Sequence, residues 1–150
     1  VSGSWGRLVA RVNDEHALEA VIEQKTVLGS PAHHAIYIQE YIEKPGRDIR
    51  IHVIGGKVIA AIYRQSSHWV TNTARGAQAH PCKIDRDLEK IALYTGEAIG
   101  KGILGIDIFE TEKGYLVNEV NHTMEFKNVQ RVTEIDVAGY IMNYCISIVR

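Results

Sequence analysis

Two carboxylates and three amides crowd one short run of this sequence, residues 117–128. Within it, Glu119 and Asn121 lie two positions apart, so on an extended backbone both side chains point to the same face of a strand. Their oxygen atoms can then converge on one hard cation. Oxygen ligands without a cysteine favour Mg²⁺ or Mn²⁺ over zinc, and Mg²⁺ held by few carboxylates usually completes its octahedron with nucleotide phosphates. The run therefore predicts a metal site and, with it, a bound nucleotide.

A second apolar run supplies a third candidate ligand, Asp107. The run spans residues 105–110, and the Glu-Lys-Gly turn after it returns the chain antiparallel to the strand that contains Glu119. This hairpin predicts that Asp107 lies beside Glu119. A surface hairpin with polar ends is the alternative. The apolar neighbours Ile106 and Val120 favour a buried strand pair instead, where oxygen atoms without a partner are costly unless they bind a metal.

The elements that must position these residues show both helical and strand patterns. Apolar residues recur at helical spacing in three segments, and the predicted helices span residues 14–25, 85–100 and 133–149, with a short helix before the last. Runs rich in β-branched and aromatic residues predict strands before the metal-site hairpin at 8–12, 35–42, 48–54 and 57–63. Gly55-Gly56 predicts a two-residue hairpin loop, because both positions must accept a positive φ. Hairpins carry much of this sheet, so an α+β fold is favoured over a doubly wound one.

Composition narrows the class of protein. With 45% hydrophobic and 23% charged residues, the chain of 150 residues predicts one globular unit with a sizeable core. A net charge of -1 gives no general attraction to nucleic acid, and no apolar run approaches the roughly 20 residues that cross a membrane. The sequence also shows no charged region followed by an apolar stretch at its start, and these two observations predict a cytoplasmic location. Cys82 and Cys145 lack metal-site spacing, which indicates reduced thiols. The glycine-punctuated start predicts that the chain is part of a longer protein.

Three further motifs are candidates for binding an anion or a purine, and each has a plain structural alternative. The run from Gly3 to Gly6, followed by Arg7, is typical of a loop that covers phosphates, and also of a simple turn. Residues 39–42 can present backbone groups to a purine edge or form an ordinary edge strand. Residues 46–50 mix charges at a strand start, where a solvated turn is the alternative to a ribose or phosphate contact.

The polar segment 65–83 is too long for an ordinary connection in a compact domain, which predicts a functional loop. Arg64 precedes it and Arg75 lies within it. Each guanidinium can bind a phosphate or carboxylate through two parallel hydrogen bonds, and solvation at the surface is the alternative for both.

Taken together, these motifs resemble the ATP-grasp ligases and, within that superfamily, the RimK-like branch. The similarity covers nearly the whole chain. It is greatest to the members that join the α-amino group of 2-aminoadipate to the C-terminal glutamate of a small acidic carrier protein, and residues 61–64, 68–76 and 118–128 carry this closer similarity. The resemblance implies ATP and Mg²⁺ or Mn²⁺ as cofactors, and an amino acid and the carrier protein as partners.

The resemblance also implies a fold. ATP-grasp proteins are α+β, with antiparallel-rich sheets and helices in two subdomains around a nucleotide cleft. Residues 1–42 would be part of the smaller subdomain, with the glycine loop and the adenine hinge, and residues 43–150 would be the C-terminal subdomain, with the metal site. Family members have a further domain and a phosphate-binding lysine before the glycine loop. The chain is therefore expected to be truncated at its N-terminus and weak or inactive alone.

Site residues follow from the same resemblance. It implies that ATP is bound by Gly3, Ser4, Trp5, Gly6, Arg7, Gln39, Glu40, Tyr41, Ile42, Asp48, Arg50 and Asn72. It implies that the metal is bound by Asp107, Glu119 and Asn121. Arg64 and Arg75 would be catalytic, and the amino-acid substrate would be bound by Arg64, Asn72, Thr73, Ala74, Thr123, Met124, Glu125 and Phe126. Basic side chains would meet the acidic carrier tail at Arg64, Arg75 and Lys127.

The implied reaction belongs to lysine biosynthesis and converts a carboxylate to an acylphosphate, which an amine then attacks. Because the first step brings two anions together, Mg²⁺ and arginines must neutralise the charge. Glutamate as the amino acid, in arginine biosynthesis, is a close alternative, since one methylene is worth only about 1–3 kcal/mol. Glutamate addition to a ribosomal protein is a more distant one. A non-catalytic nucleotide-binding module and a purely structural domain are the alternatives from other classes, and the sequence is compatible with a monomer or a homo-oligomer.

Overall fold

The computed structural model describes residues 6–149 of the chain. The chain divides into two compact units, Val1–Ile42 and Glu43–Arg150. The sheet and three of the four α-helices in the described part belong to the second unit. The assignment of the two segments as ATP-grasp subdomains stays a prediction.

The first unit contains one long helix. This helix, α1, spans Glu15–Leu28, and the side chain of Asp14 caps it by accepting a hydrogen bond of 2.8 Å from the backbone N–H of Ala17. The helix predicted over 14–25 is therefore confirmed, and it ends somewhat later than predicted. A 3₁₀ helix, Pro31–His33, follows it.

Both strand predictions for the first unit are wrong. Residues 8–12 and 35–42 are neither helix nor strand, and Leu8 has a left-handed φ of +57° that interrupts an extended backbone. A β-rich segment becomes a strand only where a neighbouring strand takes up its backbone hydrogen bonds. The described residues of this unit contain no such neighbour, and Tyr37 and Ile38 accordingly stay 71% and 63% exposed.

The second unit is built on an antiparallel sheet. Its strands within the described residues are β1 (Arg47–Ile54), β2 (Lys57–Gln65), β3 (Gln78–Pro81), β4 (Ile103–Thr111) and β5 (Gly114–Asn121). They lie in the order β3-β2-β1-β4-β5, and every neighbouring pair is antiparallel. Together with the helices, this sheet confirms the predicted α+β class.

Two tight turns set the strand register. Gly55 and Gly56 join β1 to β2 with φ values of +58° and +78°, which glycine adopts without a steric penalty. The predicted two-residue hairpin is confirmed. The hairpin between β4 and β5 is confirmed as well, with Gly114 at φ +112°. It aligns Asp107 with Glu119, the neighbours that the sequence predicts.

The segment predicted as one long loop, residues 65–83, contains a strand that the sequence analysis missed. β3 pairs with the end of β2 over four residue pairs, from Ile62 opposite Pro81 to Gln65 opposite Gln78. Its sequence is polar and ends in proline, which is tolerated because β3 lies at the edge of the sheet. The long neighbouring strand β2, and not the local sequence of β3, stabilises this pairing.

Helix α2 (Arg86–Ala98) covers one face of the sheet, here called the α2 face. The core on this face contains Ile49, Ile51, Val53, Ala61, Cys82, Leu88, Ala92, Leu104, Ile106 and Ile108. The side chain of Asp85 caps α2 at the backbone N–H of Leu88 and accepts a hydrogen bond of 2.7 Å from the Tyr115 hydroxyl, which ties the helix start to β5. The helix predicted over 85–100 is confirmed.

Helices α3 (Lys127–Thr133) and α4 (Val137–Val149) pack on the opposite face, here called the α3–α4 face. Its core contains Ile54, Ala60, Ile62, Met124, Val129 and Val137. The predicted helix over 133–149 begins too early, because Glu134 has a left-handed φ of +60° and ends α3. In the described part no single helix is long and apolar enough to cross a membrane; α3 and α4 pass that test only as a pair, by length and composition, and they are bent by 120°.

Candidate functional site

Charged side chains occupy the α3–α4 face of the sheet beyond its apolar core. Asp48, Arg50 and His52 alternate along β1, so all three point to this face. The register places Arg64 of β2 opposite Asp48, and Asp107 of β4 opposite Arg50. We call the hydrogen-bonded and ion-paired group here the ion network, and its members are Lys44, Asp48, Arg50, Arg64, Thr71 and Asp107.

Asp107 is held by two arginines. Both of its oxygens accept from Arg50, Oδ1 from Nε and Oδ2 from Nη2 at 2.9 Å, while Nη2 of Arg64 lies 3.1 Å from Oδ2. Burial favours the neutral acid, but Arg64 and Arg50 outweigh it and hold the pKa of Asp107 below its ordinary value. Asp107 is therefore an anion at neutral pH even though it is 4% exposed.

Asp48 is bound on both oxygens as well. Oδ1 accepts a hydrogen bond of 2.6 Å from Nε of Arg64, and Oδ2 accepts from the Thr71 hydroxyl, with the Lys44 ammonium 3.6 Å away. Arg64 therefore bridges the two carboxylates. Burial works against its charge, but Asp107 and Asp48 outweigh burial and raise the pKa of Arg64 above its ordinary value.

The ion network contains more positive than negative charge. Lys44, Arg50 and Arg64 face the carboxylates Asp48 and Asp107, and all five side chains are at most 15% exposed. A buried excess of positive charge is costly unless another anion neutralises it. This end of the face is therefore suited to bind an anionic group such as a phosphate or a carboxylate.

The two other predicted metal ligands lie on the neighbouring edge strand. Glu119 is opposite Asp107 and Asn121 is opposite Gly105, so both lie on the same face as Asp107. Glu119 is exposed, and its Oε1 accepts a hydrogen bond of 2.9 Å from Nδ2 of Asn121. The structure therefore brings the three predicted ligands to one patch of the sheet.

The donor set of this patch fits a hard cation. A carboxylate offers about four lone pairs, and three hydrogen bonds and ion pairs to arginine nitrogens leave one oxygen position of Asp107 for a metal. In the described part no three His, Cys, Asp or Glu side chains are grouped to hold a metal ion. A cation here would therefore use Asp107, Glu119 and the Asn121 amide oxygen, together with ligands that it brings, as Mg²⁺ does with phosphates.

The loop after β2 carries the next group of predicted residues. Thr71 is buried within the ion network. Asn72 follows it, and its side chain accepts a hydrogen bond of 2.8 Å from the backbone N–H of Ala74. This bond caps the 3₁₀ helix Thr73–Arg75, in which Arg75 is exposed. The structure thus places Asn72, Thr73, Ala74 and Arg75 on the turn next to the ion network.

The turn at residues 123–126, predicted to line the amino-acid pocket, lies over the sheet between β5 and α3. Met124 is 9% exposed and belongs to the core of the α3–α4 face, while Thr123 and Glu125 are exposed. Phe126 is half-buried at the start of α3, and the exposed Lys127 donates its backbone N–H to Glu125. The turn therefore presents polar side chains to solvent above one buried methionine.

Gly105 is required by the close approach of Met124. A Cβ atom at Gly105 would lie 2.9 Å from Met124 Cβ and 3.5 Å from Arg50 Cδ. We expect Gly105→Ala to lower the free energy of unfolding by about 1–3 kcal/mol, because Met124 must move while the contact with Arg50 is an ordinary one. Urea unfolding measures this change.

Gly96→Ala is the matched control for this substitution, because a Cβ there meets only ordinary contacts at 3.5 Å and 3.7 Å. Gly96 lies in α2, so the control is expected to stabilise the protein by up to about 1 kcal/mol. Equal effects of the two substitutions would show that Gly105 is not constrained by its neighbours.

The predicted nucleotide residues of the first unit that the structure describes lie in its loops. Gly3, Ser4 and Trp5 are outside the described residues. Gly6 has a φ of +70° and Arg7 is exposed. Of the predicted adenine hinge, Gln39 and Glu40 are exposed, and Tyr41 and Ile42 are half-buried. The guanidinium of Arg11 stacks over the Tyr41 ring at 3.7 Å, a contact that the sequence does not indicate.

Three residues of this face were missed by the sequence analysis, namely Lys44, Thr71 and His52. His52 is fully buried, and neither ring nitrogen has a hydrogen-bond partner in the described structure. Burial, helped by Arg50, lowers the pKa of His52 to about 4. Strand alternation with Asp48 and Arg50 would have placed His52 on this face. The approach of Lys44 to Thr71 leaves no comparable signal in the sequence.

The chain is similar to known proteins along nearly its whole length. A family model described as the RimK-like ATP-grasp domain matches residues 1–145. The alpha-aminoadipate–LysW ligase LysX of Sulfolobus acidocaldarius is 46% identical over 145 residues, which are 95% of this chain and 52% of that protein. The glutamate–LysW ligase ArgX of the same organism is 35% identical over 145 residues, 95% of this chain and 51% of that protein.

Solved structures agree with the sequence comparisons. The crystal structure of a RimK domain ATP-grasp protein from Sphaerobacter thermophilus matches with a TM-score of 0.68 and 25% identity, over 89% of this chain and 46% of that chain. The chain spans about half the length of the curated relatives it matches. Sequence and structure comparisons thus point to the same family.

Proposed function

The chain belongs to the RimK-like ATP-grasp family, and from this premise we propose that it is part of an ATP-dependent ligase that joins an amino acid to a LysW-like carrier protein. Its ATP-grasp fold is the one that the sequence predicts. The names of LysX and ArgX, two similar relatives, describe ligases of LysW. The proposed chemistry phosphorylates the C-terminal carboxylate of the carrier, and the amine of the amino acid then displaces phosphate.

The charge imbalance of the ion network carries this proposal. Transfer of a phosphoryl group to a carboxylate brings two anions together, and the reaction proceeds only where positive charge offsets their repulsion. Arg50 and Arg64 supply such charge on the α3–α4 face, next to the loop with Arg75. Arg64 already forms ion pairs with Asp48 and Asp107. Its proposed role is therefore to contribute positive electrostatic potential to the site and to hold Asp107 in place.

We assign Mg²⁺ to Asp107, Glu119 and Asn121, and the phosphates of ATP to the neighbouring cationic residues. When bound, the metal would neutralise phosphate charge. Asp107 would be kept ionised and oriented by Arg50 and Arg64, and Glu119 would be available because it is exposed. Gln39, Glu40, Tyr41 and Ile42 are proposed to hold adenine, with Asp48, Asn72 and the glycine loop as further ATP contacts.

The proposed amino acid is 2-aminoadipate, which places the reaction in lysine biosynthesis. Support comes from the higher identity to LysX, 46% against 35% for ArgX. Glutamate remains the second candidate, because a difference of one methylene is worth only about 1–3 kcal/mol. The turn with Thr123, Met124, Glu125 and Phe126 is proposed to contact the amino acid. Asn72, Thr73 and Arg75 are proposed to face the terminal phosphate of ATP and the amino acid, and Arg75 and Lys127 to contact the carrier tail. The cytoplasmic location predicted from the sequence is part of this proposal.

Calorimetric titration of Mg·ADP into the chain tests the proposed metal and nucleotide site. We expect Glu119→Gln to weaken Mg·ADP binding at least about tenfold, because the variant loses a carboxylate ligand of Mg²⁺. Glu119 lies outside the ion network, so the fold should be retained.

Glu112→Gln is the matched control, since Glu112 is an exposed glutamate in the turn that precedes β5. Its affinity for Mg·ADP should equal that of the wild type. Nucleotide binding that does not change when EDTA removes the metal, or when Glu119 is replaced, would contradict the assignment.

A further inference from the structure

Lys44 places a buried ammonium group between the strand β1 and the loop that follows β2. Its side chain is 9% exposed, and Nζ lies 2.5 Å from Oγ1 of Thr71, 3.6 Å from Oδ2 of Asp48 and 4.9 Å from the centre of the Phe109 ring. Burial lowers the pKa of Lys44, although Asp48 acts in the opposite direction. A lysine side chain is seldom buried unless its charge is paired.

The chemistry of the three groups sets the direction of the hydrogen bonds. A charged lysine only donates, and an ionised aspartate only accepts. Thr71 Oγ1 must therefore accept from Lys44 and donate its own hydrogen to Asp48. Removing either Lys44 or the Thr71 hydroxyl breaks the same series of hydrogen bonds, which runs from the ammonium through Thr71 to the carboxylate of Asp48.

The backbone of Lys44 is fixed independently of its side chain. Its carbonyl accepts a hydrogen bond of 2.8 Å from the N–H of Gly46, and the carbonyl of Gly46 accepts one of 3.0 Å from the N–H of Ser66. Gly46 has a φ of +66°, which allows this tight turn. The ammonium is thus presented to Thr71 from a turn that is attached to the end of β2.

The residues after Thr71 form one internally bonded unit. The carbonyl of Asn72 accepts from the N–H groups of Arg75, at 2.9 Å, and Ala77, at 3.3 Å, and the N–H of Gly76 bonds to Thr73 at 3.0 Å. Thr71 is 2% exposed and Ala77 is 7% exposed. A displacement of Thr71 would therefore shift the whole turn, including the side chains of Asn72 and Arg75.

We propose that Lys44 is a positioning residue, which holds the loop with Asn72, Thr73 and Arg75 against the sheet through the hydroxyl of Thr71. This role rests on the proposed function, in which that loop faces the terminal phosphate of ATP and the amino acid. Lys44 itself does not have to touch either ligand. Its ammonium orders the residues that do.

Hydrogen exchange of the chain without nucleotide tests whether Lys44 holds the loop. We expect Lys44→Met and Thr71→Val each to raise the exchange rates of the amides of residues 72–77 at least about fivefold, because opening of the loop becomes less costly. Because both variants break one chain of hydrogen bonds, the double variant should exchange no faster than the more affected single variant. Thr71→Ser, which retains the hydroxyl, should stay within about twofold of the wild type.

Lys57→Met is the matched control, because Lys57 is an exposed lysine at the start of β2 and its loss should leave these amides unchanged. Unchanged exchange in Lys44→Met, or fully additive effects in the double variant, would overturn the proposal. This result does not depend on nucleotide binding, so it is distinguishable from a failure of the proposed function.

A second titration tests the link to the ligand. If the loop faces the terminal phosphate, Lys44→Met should weaken the binding of Mg·ATP about tenfold more than the binding of Mg·ADP. A merely structural role would weaken both equally, and an equal loss would overturn the positioning role. Failure of the wild-type chain to bind either nucleotide would count against the proposed function, while the exchange experiment still decides whether Lys44 orders the loop.

Discussion

Replacing Arg64 with methionine is expected to lower the free energy of unfolding by about 3–5 kcal/mol, because it leaves two buried carboxylates without their shared cation. Arg64 contacts Asp48 at 2.6 Å and Asp107 at 3.1 Å, and the three side chains are at most 7% exposed. Methionine fills much of the same volume, so the loss measures charge and hydrogen bonding more than packing. Urea unfolding at pH 7 provides the measurement.

Arg47→Met is the matched control for Arg64→Met. Arg47 pairs with Glu110 at 2.8 Å on the α2 face, but both side chains are about one third exposed, at 33% and 30%. An exposed pair of this kind contributes up to about 1 kcal/mol. Similar losses in Arg64→Met and Arg47→Met would contradict a buried network that depends on Arg64.

His52→Leu is expected to make the protein less sensitive to acid. The pKa of His52 is lowered to about 4 in the folded protein, from 6.5 in an unfolded chain. As the pH falls, His52 therefore takes up its proton in the unfolded chain before it does so in the folded protein. The stability that neutral His52 contributes is fully present above about pH 6.5 and is lost as the pH falls toward 4. This difference in pKa corresponds to roughly 3 kcal/mol, and the charged groups that act on His52 are Arg50 and Asp107.

Unfolding free energies at several pH values between 7.5 and 4 measure the effect. At pH 7.5 the variant should be at least as stable as the wild type, since leucine also removes two buried nitrogens without partners. At pH 4 its advantage should be larger by roughly 3 kcal/mol. The control is His80→Gln at an exposed histidine of β3, which should parallel the wild type. Parallel pH curves for His52→Leu would show that the buried ring does not cause the acid sensitivity.

Both predictions concern the same face of the sheet, on which the proposed ligand site lies. Arg64 pairs with Asp107, a proposed Mg²⁺ ligand, so Arg64→Met should also weaken the binding of Mg·ADP. His52 lies on the same strand as Arg50 but outside the ion network, so His52→Leu should not. The two variants therefore distinguish the charge of the network from the burial of a neighbouring polar side chain.

Several features of the fold could be predicted because they depend on short-range chemistry. The Gly55-Gly56 turn requires positive φ at both positions, and Asp14 and Asp85 have the side chains that cap helices. The two-residue period of a strand brought Asp48 and Arg50 to one face, and a short hairpin loop aligned Asp107 with Glu119. Each of these features involves residues close together in the chain.

The sequence failed where the outcome depends on neighbours that are distant in the chain. Residues 35–42 have a β-rich composition but form no strand, whereas the polar β3 does, because only β3 has a long strand to pair with. Helix α4 begins only at Val137, because Glu134 adopts a left-handed φ of +60° and ends α3. Propensity describes what a segment tolerates, and hydrogen-bonding partners select among the tolerated states.

The candidate site shows the same division. Residue types and spacing were sufficient to select Asp107, Glu119 and Asn121 as one group, because alternation and hairpin register are local rules, whereas the resemblance to a known family added Asp48, Arg50 and Arg64. The contact of Lys44 with Thr71 joins residues 27 positions apart, and the His52 ring is buried without a hydrogen-bond partner only in the folded chain. Burial lowers the pKa of Lys44 and of His52, because it disfavours the charged form of each side chain. Burial is a property of the packed chain, and no window of the sequence contains it.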